Sequence, residues 1–242
     1  MTQRLRVPWP DPELWAARGD LPVRLLAVSD EPDRALDSDA TRRAIEPIDM
    51  IVGCGDLEPD YLAFLADGFH VPLHYVRGNH DVGAAWRHEQ PAMLPEPLPD
   101  GVVQREAGIS LVGFSGSARY SDDGMERSAL EMWLRVLAAW RGMRAAARKA
   151  PLLVVTHAAP RGMNDAPDQA HRGFAAFRMM VERLSPPLWL HGHTALVRRG
   201  IDGRCARYGA TLLYNCTGAS VVELVPPSVE AAFPGAVEPE AA

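Results

Sequence analysis

Cysteine is scarce in this chain: three residues in 242, Cys54, Cys205 and Cys216, at irregular spacing. That excludes a disulfide framework and a thiolate zinc site. Cys54 and Cys216, both inside apolar runs, read as small core residues. Long apolar runs are also lacking, and no stretch approaches the ~18 residues that a membrane span needs. The first twenty residues, broken by Pro8, Pro10 and Pro12, hold no apolar signal segment. Basic charge is in deficit, 25 Lys and Arg against 31 acidic residues, a formal charge of -6. Such a chain does not generally attract polyanions, so nucleic acid is not an expected partner. No Gly/Ser-rich or charged linker divides it, so one large domain is expected, in a reducing cytosol and away from membranes. Nothing in the sequence fixes an oligomeric state.

What is present, at 47% hydrophobic residues, is enough for a substantial core. Val23–Ser29, Ile48–Gly53 and Val71–Val76 read as short buried strands. Helical segments at Asp37–Ile45 and Pro59–Ala66 lie between them. This β-α-β-α-β rhythm implies parallel strands with helices on their faces. Pro91, Pro95, Pro97 and Pro99 forbid regular structure from Gln90 to Asp100. Strand character resumes at Val102-Val103 and Ile109–Phe114. Ala129–Ala150 is the clearest helix, with Leu130, Trp133, Leu134 and Leu137 expected to form its apolar face. Leu152–Thr156 and Leu188–Leu190 read as strands around a helix at Phe174–Leu184. Leu196–Ile201, Thr211–Asn215 and Val221–Val225 close the set. Residues 1–22 are set apart as an extension, 23–225 form the domain, and 226–242 read as a frayed, Pro/Glu/Ala-rich tail.

Polar groups gather where the apolar runs end. Asp30, Asp56, Asn79 and His157 each follow such a run, as does the His191-Gly192-His193 stretch. In open α/β sheets ligands bind beyond the carboxyl ends of the strands, so these groups are expected at one edge. Carboxylate and amide oxygens with imidazole nitrogens suit Mn²⁺, Fe, Zn²⁺ or Ni²⁺ better than Ca²⁺. Such a centre suits a phosphate ester. Arg119, Arg161, His171 and Arg172 sit in polar loops and are candidate substrate contacts, because arginine binds phosphate through two parallel hydrogen bonds.

Five segments in order, Asp30-Glu31-Pro32, Gly55-Asp56, Gly78-Asn79-His80-Asp81, His157 and Gly192-His193-Thr194-Ala195, resemble the motifs of the calcineurin-like metallophosphoesterases. The resemblance runs over about residues 23–224. It implies an α/β sandwich of two mixed β-sheets flanked by helices, with one or two divalent metals (Mn, Fe, Zn, Ni or Mg) at one end. It implies that Asp30, Asp56, Asn79, His157 and His193 are ligands. His80 would contact the ester or protonate the leaving oxygen, with Asp81 orienting it. The reaction implied is hydrolysis of a small phosphate ester, a phosphodiester above all, by metal-bound hydroxide.

Two positions depart from the motifs. Pro32 and Ala195 stand where the family carries histidines for its first metal. Three outcomes follow: Glu31, Asp33 or water fills the gap; His191 joins His193 as an H-x-H pair; or a single metal binds tightly. The loss also motivates a rival reading, a non-catalytic metal-binding scaffold on the same fold. A nuclease ranks below both, since no basic track is evident.

Overall fold

The computed structural model describes residues 2–83, 86, 94–121, 124–196 and 203–228. Its strands form two mixed sheets and a separate parallel pair, β7 (Ser117–Ala118) with β8 (Glu126–Arg127). The first, in spatial order, is β1 (Gln3–Pro8), β13 (Gly218–Val225), β2 (Val23–Ser29), β3 (Met50–Gly53) and β4 (Leu73–Tyr75). Here β2, β3 and β4 are parallel, while β13 runs antiparallel to β2. The second is β11 (Cys205–Tyr208), β12 (Thr211–Asn215), β10 (Leu188–His191), β9 (Leu152–Thr156), β6 (Ile109–Phe114) and β5 (Gln104–Glu106). Its four central strands are parallel and its two edges antiparallel.

Successive side chains of a strand face opposite ways, and here both faces are covered. Leu25 and Ala27 of β2 join Leu153 and Val155 of β9 in the core between the sheets. Leu26 and Val28 face outward onto α2 (Asp39–Ile45) and α3 (Pro59–Phe69). Val154 of β9 faces α4 (Ala129–Ala147) and α5 (Ala175–Leu184) on the other side. Burial on both faces is why these strands read as unbroken apolar runs. The result is a helix–sheet–sheet–helix sandwich.

The structure differs from the sequence reading in three places. Residues 1–22 are not set apart: β1 pairs with the full length of β13. Trp9, and Trp15 of α1 (Pro12–Arg18), are buried in the inter-sheet core. The strand expected at Val102-Val103 falls instead at β5. The expected face of α4 is mostly the wrong one: Trp133 packs against the core, but Leu130, Leu134 and Leu137 are 68%, 58% and 54% exposed, while Met132, Val136 and Met143 are buried. The strand expected at Leu196–Ile201 lies mostly outside the described residues, as do Pro91 and the tail from residue 229. Among the described residues no helix is long and apolar enough to cross a membrane.

Candidate metal centre

The carboxyl ends of β2, β3, β4, β9 and β10 meet at one edge of the sandwich, and the loops leaving them carry Asp30, Asp56, Asn79, His157 and His193. Three of these residues, Asp30, Asp56 and His193, hold left-handed backbone, with φ of 60°, 56° and 63°. For a residue with a side chain this costs roughly 1–3 kcal/mol, and such strain collects at functional sites. The glycines nearby are needed for close approach. A Cβ on Gly78 would collide with the Asp56 carboxylate, and one on Gly192 with Ser29 and Asp30.

Asp56, His157 and His193 present ligand atoms within 4.8 Å of one another. His157 Nδ1 donates to the Cys54 carbonyl at 2.8 Å, which places that ring proton. Nε2 then faces two acceptors, Asp56 Oδ2 at 3.2 Å and Asn79 Oδ1 at 3.0 Å. Asn79 is turned by its own amide, whose Nδ2 donates to the Tyr120 hydroxyl at 3.1 Å. His193 Nε2 donates to the Ala170 carbonyl at 2.7 Å, leaving Nδ1 with its lone pair. Four lone-pair groups thus converge with no donor of their own between them. A proton or a cation must sit there. Burial disfavours a charged His157, yet the Asp56 carboxylate raises it to about 9. Burial holds His193 down at about 4, neutral and able to ligate. The donor set of carboxylate, amide and two imidazoles fits a divalent transition metal, and the hydrogen bonds to Cys54 and Ala170 fix the ring tautomers as outer partners of metal-bound histidines do.

Asp30 reaches the same edge but is engaged otherwise. Its carboxylate accepts the His193 backbone N–H at 3.0 and 3.1 Å and the Thr217 hydroxyl at 3.3 Å. His191 does not reach the cluster as expected of a ligand. Its Nδ1 donates to the Gly192 carbonyl at 3.0 Å and its Nε2 accepts from Asn164 at 3.0 Å. The ring is fully buried, and desolvation holds it at about 4. Asp33 caps the turn Arg34–Asp37 by accepting the Ala35 N–H, and Glu31 is exposed. Among the described residues, one group of three or more His, Cys, Asp or Glu side chains could hold an ion.

His80 is exposed, and its backbone N–H donates to Asp56 Oδ1 at 2.8 Å. Asp81 does not orient the His80 ring. Its carboxylate accepts the backbone N–H groups of Gly78, Asp56 and Leu57 at 2.7, 2.9 and 3.2 Å. It clamps the Asp56 loop to the Asn79 turn. Burial raises it to about 6 despite those donors.

The loop candidates come together more closely than their spacing suggests. Arg119, Arg161 and Arg172 line one cavity of about 570 Å³, along with Tyr120. His171 packs on His193, ring centroids 5.1 Å apart, with Nδ1 at 2.9 Å from Asp168 Oδ1. Tyr120, Thr217 and Asn164 escape sequence reading because each acts through a fold contact with a distant residue. Tyr120 alone had a signal, its place beside Arg119 in the Gly/Ser loop. His70 ends α3 and His74 lies 3.3 Å from Glu106, so neither joins the site. His88 is outside the described residues.

The sequence pattern of the calcineurin-like phosphoesterases matches residues 33–196. No curated protein sequence matches the chain. Among solved structures, the protein TT1561 of Thermus thermophilus aligns with a TM-score of 0.55 at 16% identity, over 82% of this chain and 90% of that one. Another aligns at 0.59 and 16%, over 82% of this chain and 91% of its own. The phosphopantetheinyl hydrolase PptH of Mycobacterium tuberculosis aligns at 0.47 and 12%, over 86% and 91%. At such identities the first two likenesses are ones of fold.

Proposed function

The chain belongs to the calcineurin-like phosphoesterase family, and from that membership we propose that it is a metal-dependent hydrolase of a small phosphate ester, working in the cytosol. The observation that carries this is the convergence of Asp56, Asn79, His157 and His193, whose lone pairs face one another with no donor between them. Asp56, Asn79, His157 and His193 would hold a divalent cation, which would supply Lewis acidity to a phosphoryl oxygen and acidify a water. One tightly held ion per chain is the stoichiometry this arrangement supports. Asp30 is occupied by His193 N–H and Thr217, and neither Asp33 nor His191 fills the place left by Pro32 and Ala195.

The protein groups have separable tasks. Asp81 holds the Asp56 and Asn79 loops in register through three backbone hydrogen bonds. Tyr120 keeps the Asn79 oxygen turned inward. To the His80 ring, exposed on the turn beside Asn79, we assign the task of giving a proton to the departing alcohol. A diester is favoured over a monoester because the adjoining cavity of about 570 Å³ has room for a second substituent on phosphorus. A small substrate also fits the chain's net charge of -6, which does not draw in long polyanions.

The test pairs elemental analysis with turnover of bis-p-nitrophenyl phosphate after Mn²⁺ addition. One ion per chain with turnover is expected, and turnover is expected to vanish in Asn79→Ala/His80→Ala while the protein stays folded. Protein that binds no ion and turns over nothing under any divalent metal would refute the enzyme and leave the scaffold reading.

A further inference from the structure

The cavity beside the centre is lined by four arginines, Arg119, Arg127, Arg161 and Arg172, and by no carboxylate among the described residues. In a chain of charge -6 this is a local reversal of sign. The chain's cations are arginine save for Lys149, so the residue type says little and the gathering says much. Arg119 pairs with Glu131 at 3.2 Å, in an exposed contact. Arg127, Arg161 and Arg172 make no side-chain hydrogen bond or ion pair among the described residues. Arg127 Nε is buried without a partner. Several like charges around one cavity repel until an anion joins them.

Both walls of the cavity are built in advance and fastened to the metal ligands. One wall is the loop through Arg119 and Tyr120. The buried Glu126 carboxylate accepts the N–H groups of Tyr120 and Ser121 at 3.0 and 2.8 Å. The Met125 N–H then ties that loop to the Asn79 carbonyl at 3.1 Å. The other wall carries Arg161, Gln169 and Arg172. Asp165 braces it by accepting the Gly162 and Gly173 N–H groups, each at 2.9 Å. Its His171 packs on His193. Helix α5 also begins at this cavity, at Ala175, without a side-chain cap. Its positive end adds to the same field.

We propose that this cavity is a second anion subsite, which takes a phosphate group carried on the substrate away from the ester that is cleaved. The substrate class is then a small organic ester bearing two phosphoryl groups. The inference rests on the phosphoesterase reading for the cleaved group, and on the arginine cavity for the other. Arg161 and Arg172 are exposed, so removing their charge leaves the core untouched.

Binding of thymidine 3′,5′-bisphosphate and of thymidine 5′-monophosphate to the Mn²⁺-loaded protein, read by calorimetry, tests it. The bisphosphate is expected to bind at least about tenfold more tightly, the scale of one charge-assisted contact. Arg161→Gln/Arg172→Gln is expected to erase that margin. Arg141→Gln, exposed on α4, is expected to keep it. Equal affinity of the two nucleotides, or a margin that survives in the double variant, overturns the subsite. Hydrolysis of thymidine 5′-p-nitrophenyl phosphate is measured separately. Its absence with every divalent ion defeats the phosphoesterase reading, while the binding margin still decides the subsite.

Discussion

At the scale of single residues, the centre depends on which atom of each side chain is turned inward. Asn79 offers its oxygen because Tyr120 takes up its amide nitrogen at 3.1 Å. Tyr120→Phe removes that acceptor and leaves the amide free to rotate. Outer partners of this kind are worth about 10–100-fold in metal affinity. Mn²⁺ is therefore expected to bind Tyr120→Phe at least about tenfold more weakly, with turnover recovered at saturating metal. Unchanged affinity in a calorimetric titration would remove Tyr120 from the centre. Sequence motifs show the two ends of this arrangement but not the link. Asn79 stands in Gly78-Asn79-His80-Asp81 and Tyr120 lies 41 residues on, so only the folded loop joins them. Asp81 teaches the same lesson. Its motif neighbour is His80, yet its hydrogen bonds go to the Asp56, Leu57 and Gly78 backbone.

At the scale of elements, the strands were legible and one helix face was not. Strands buried on both faces leave continuous apolar runs, so β2, β3, β6 and β9 stand out from composition alone. Helix α4 carries two apolar stripes, Leu130-Leu134-Leu137 and Met132-Val136-Met143, each at helical spacing. Periodicity measures a repeat and is blind to which phase meets the sheet. Packing against β9 and α5 selects the second stripe. Urea unfolding distinguishes the two. Met132→Ala, at a fully buried site, is expected to cost about 2–5 kcal/mol. Leu134→Gln, at a site 58% exposed, is expected to change stability by no more than about 0.5 kcal/mol. The reverse order would return α4 to the face expected from sequence.

At the scale of the whole molecule, the buried Asp56–His157 pair links global stability to pH and to metal. Burial lowers the proton affinity of His157, and the Asp56 carboxylate outweighs it, raising the ring from 6.5 to about 9. Between those values the folded, metal-free protein holds a proton that the unfolded chain has released. The stabilisation is complete below about pH 6.5 and is lost as pH rises through about 9. Chelator-treated protein is expected to lose on the order of 3 kcal/mol of unfolding free energy across that window. Mn²⁺ competes with the proton for Nε2, so binding at pH 7 is expected to release close to one proton per ion. Calorimetry in buffers of different ionisation enthalpy reads that number. A flat stability profile with no proton release would separate His157 from the metal.

The sequence by itself determined the strands that meet at one edge, the order of the polar groups that follow them, and the family those groups resemble. Each of these is written locally, as an apolar run ending in a short motif. Tertiary structure decided what depends on distant partners. It placed β1 and Trp9 inside the sandwich, because the mixed, proline-flanked segment Gln3–Pro8 finds its hydrogen bonds only against β13. It turned His191 away from the cluster, because Asn164 satisfies its Nε2 inside the protein. It also brought Arg119, Arg127, Arg161 and Arg172 around one cavity. Two loops far apart in sequence are pinned there, one to Asn79 and the other to His193, so the charge they carry becomes a site only when both are in place.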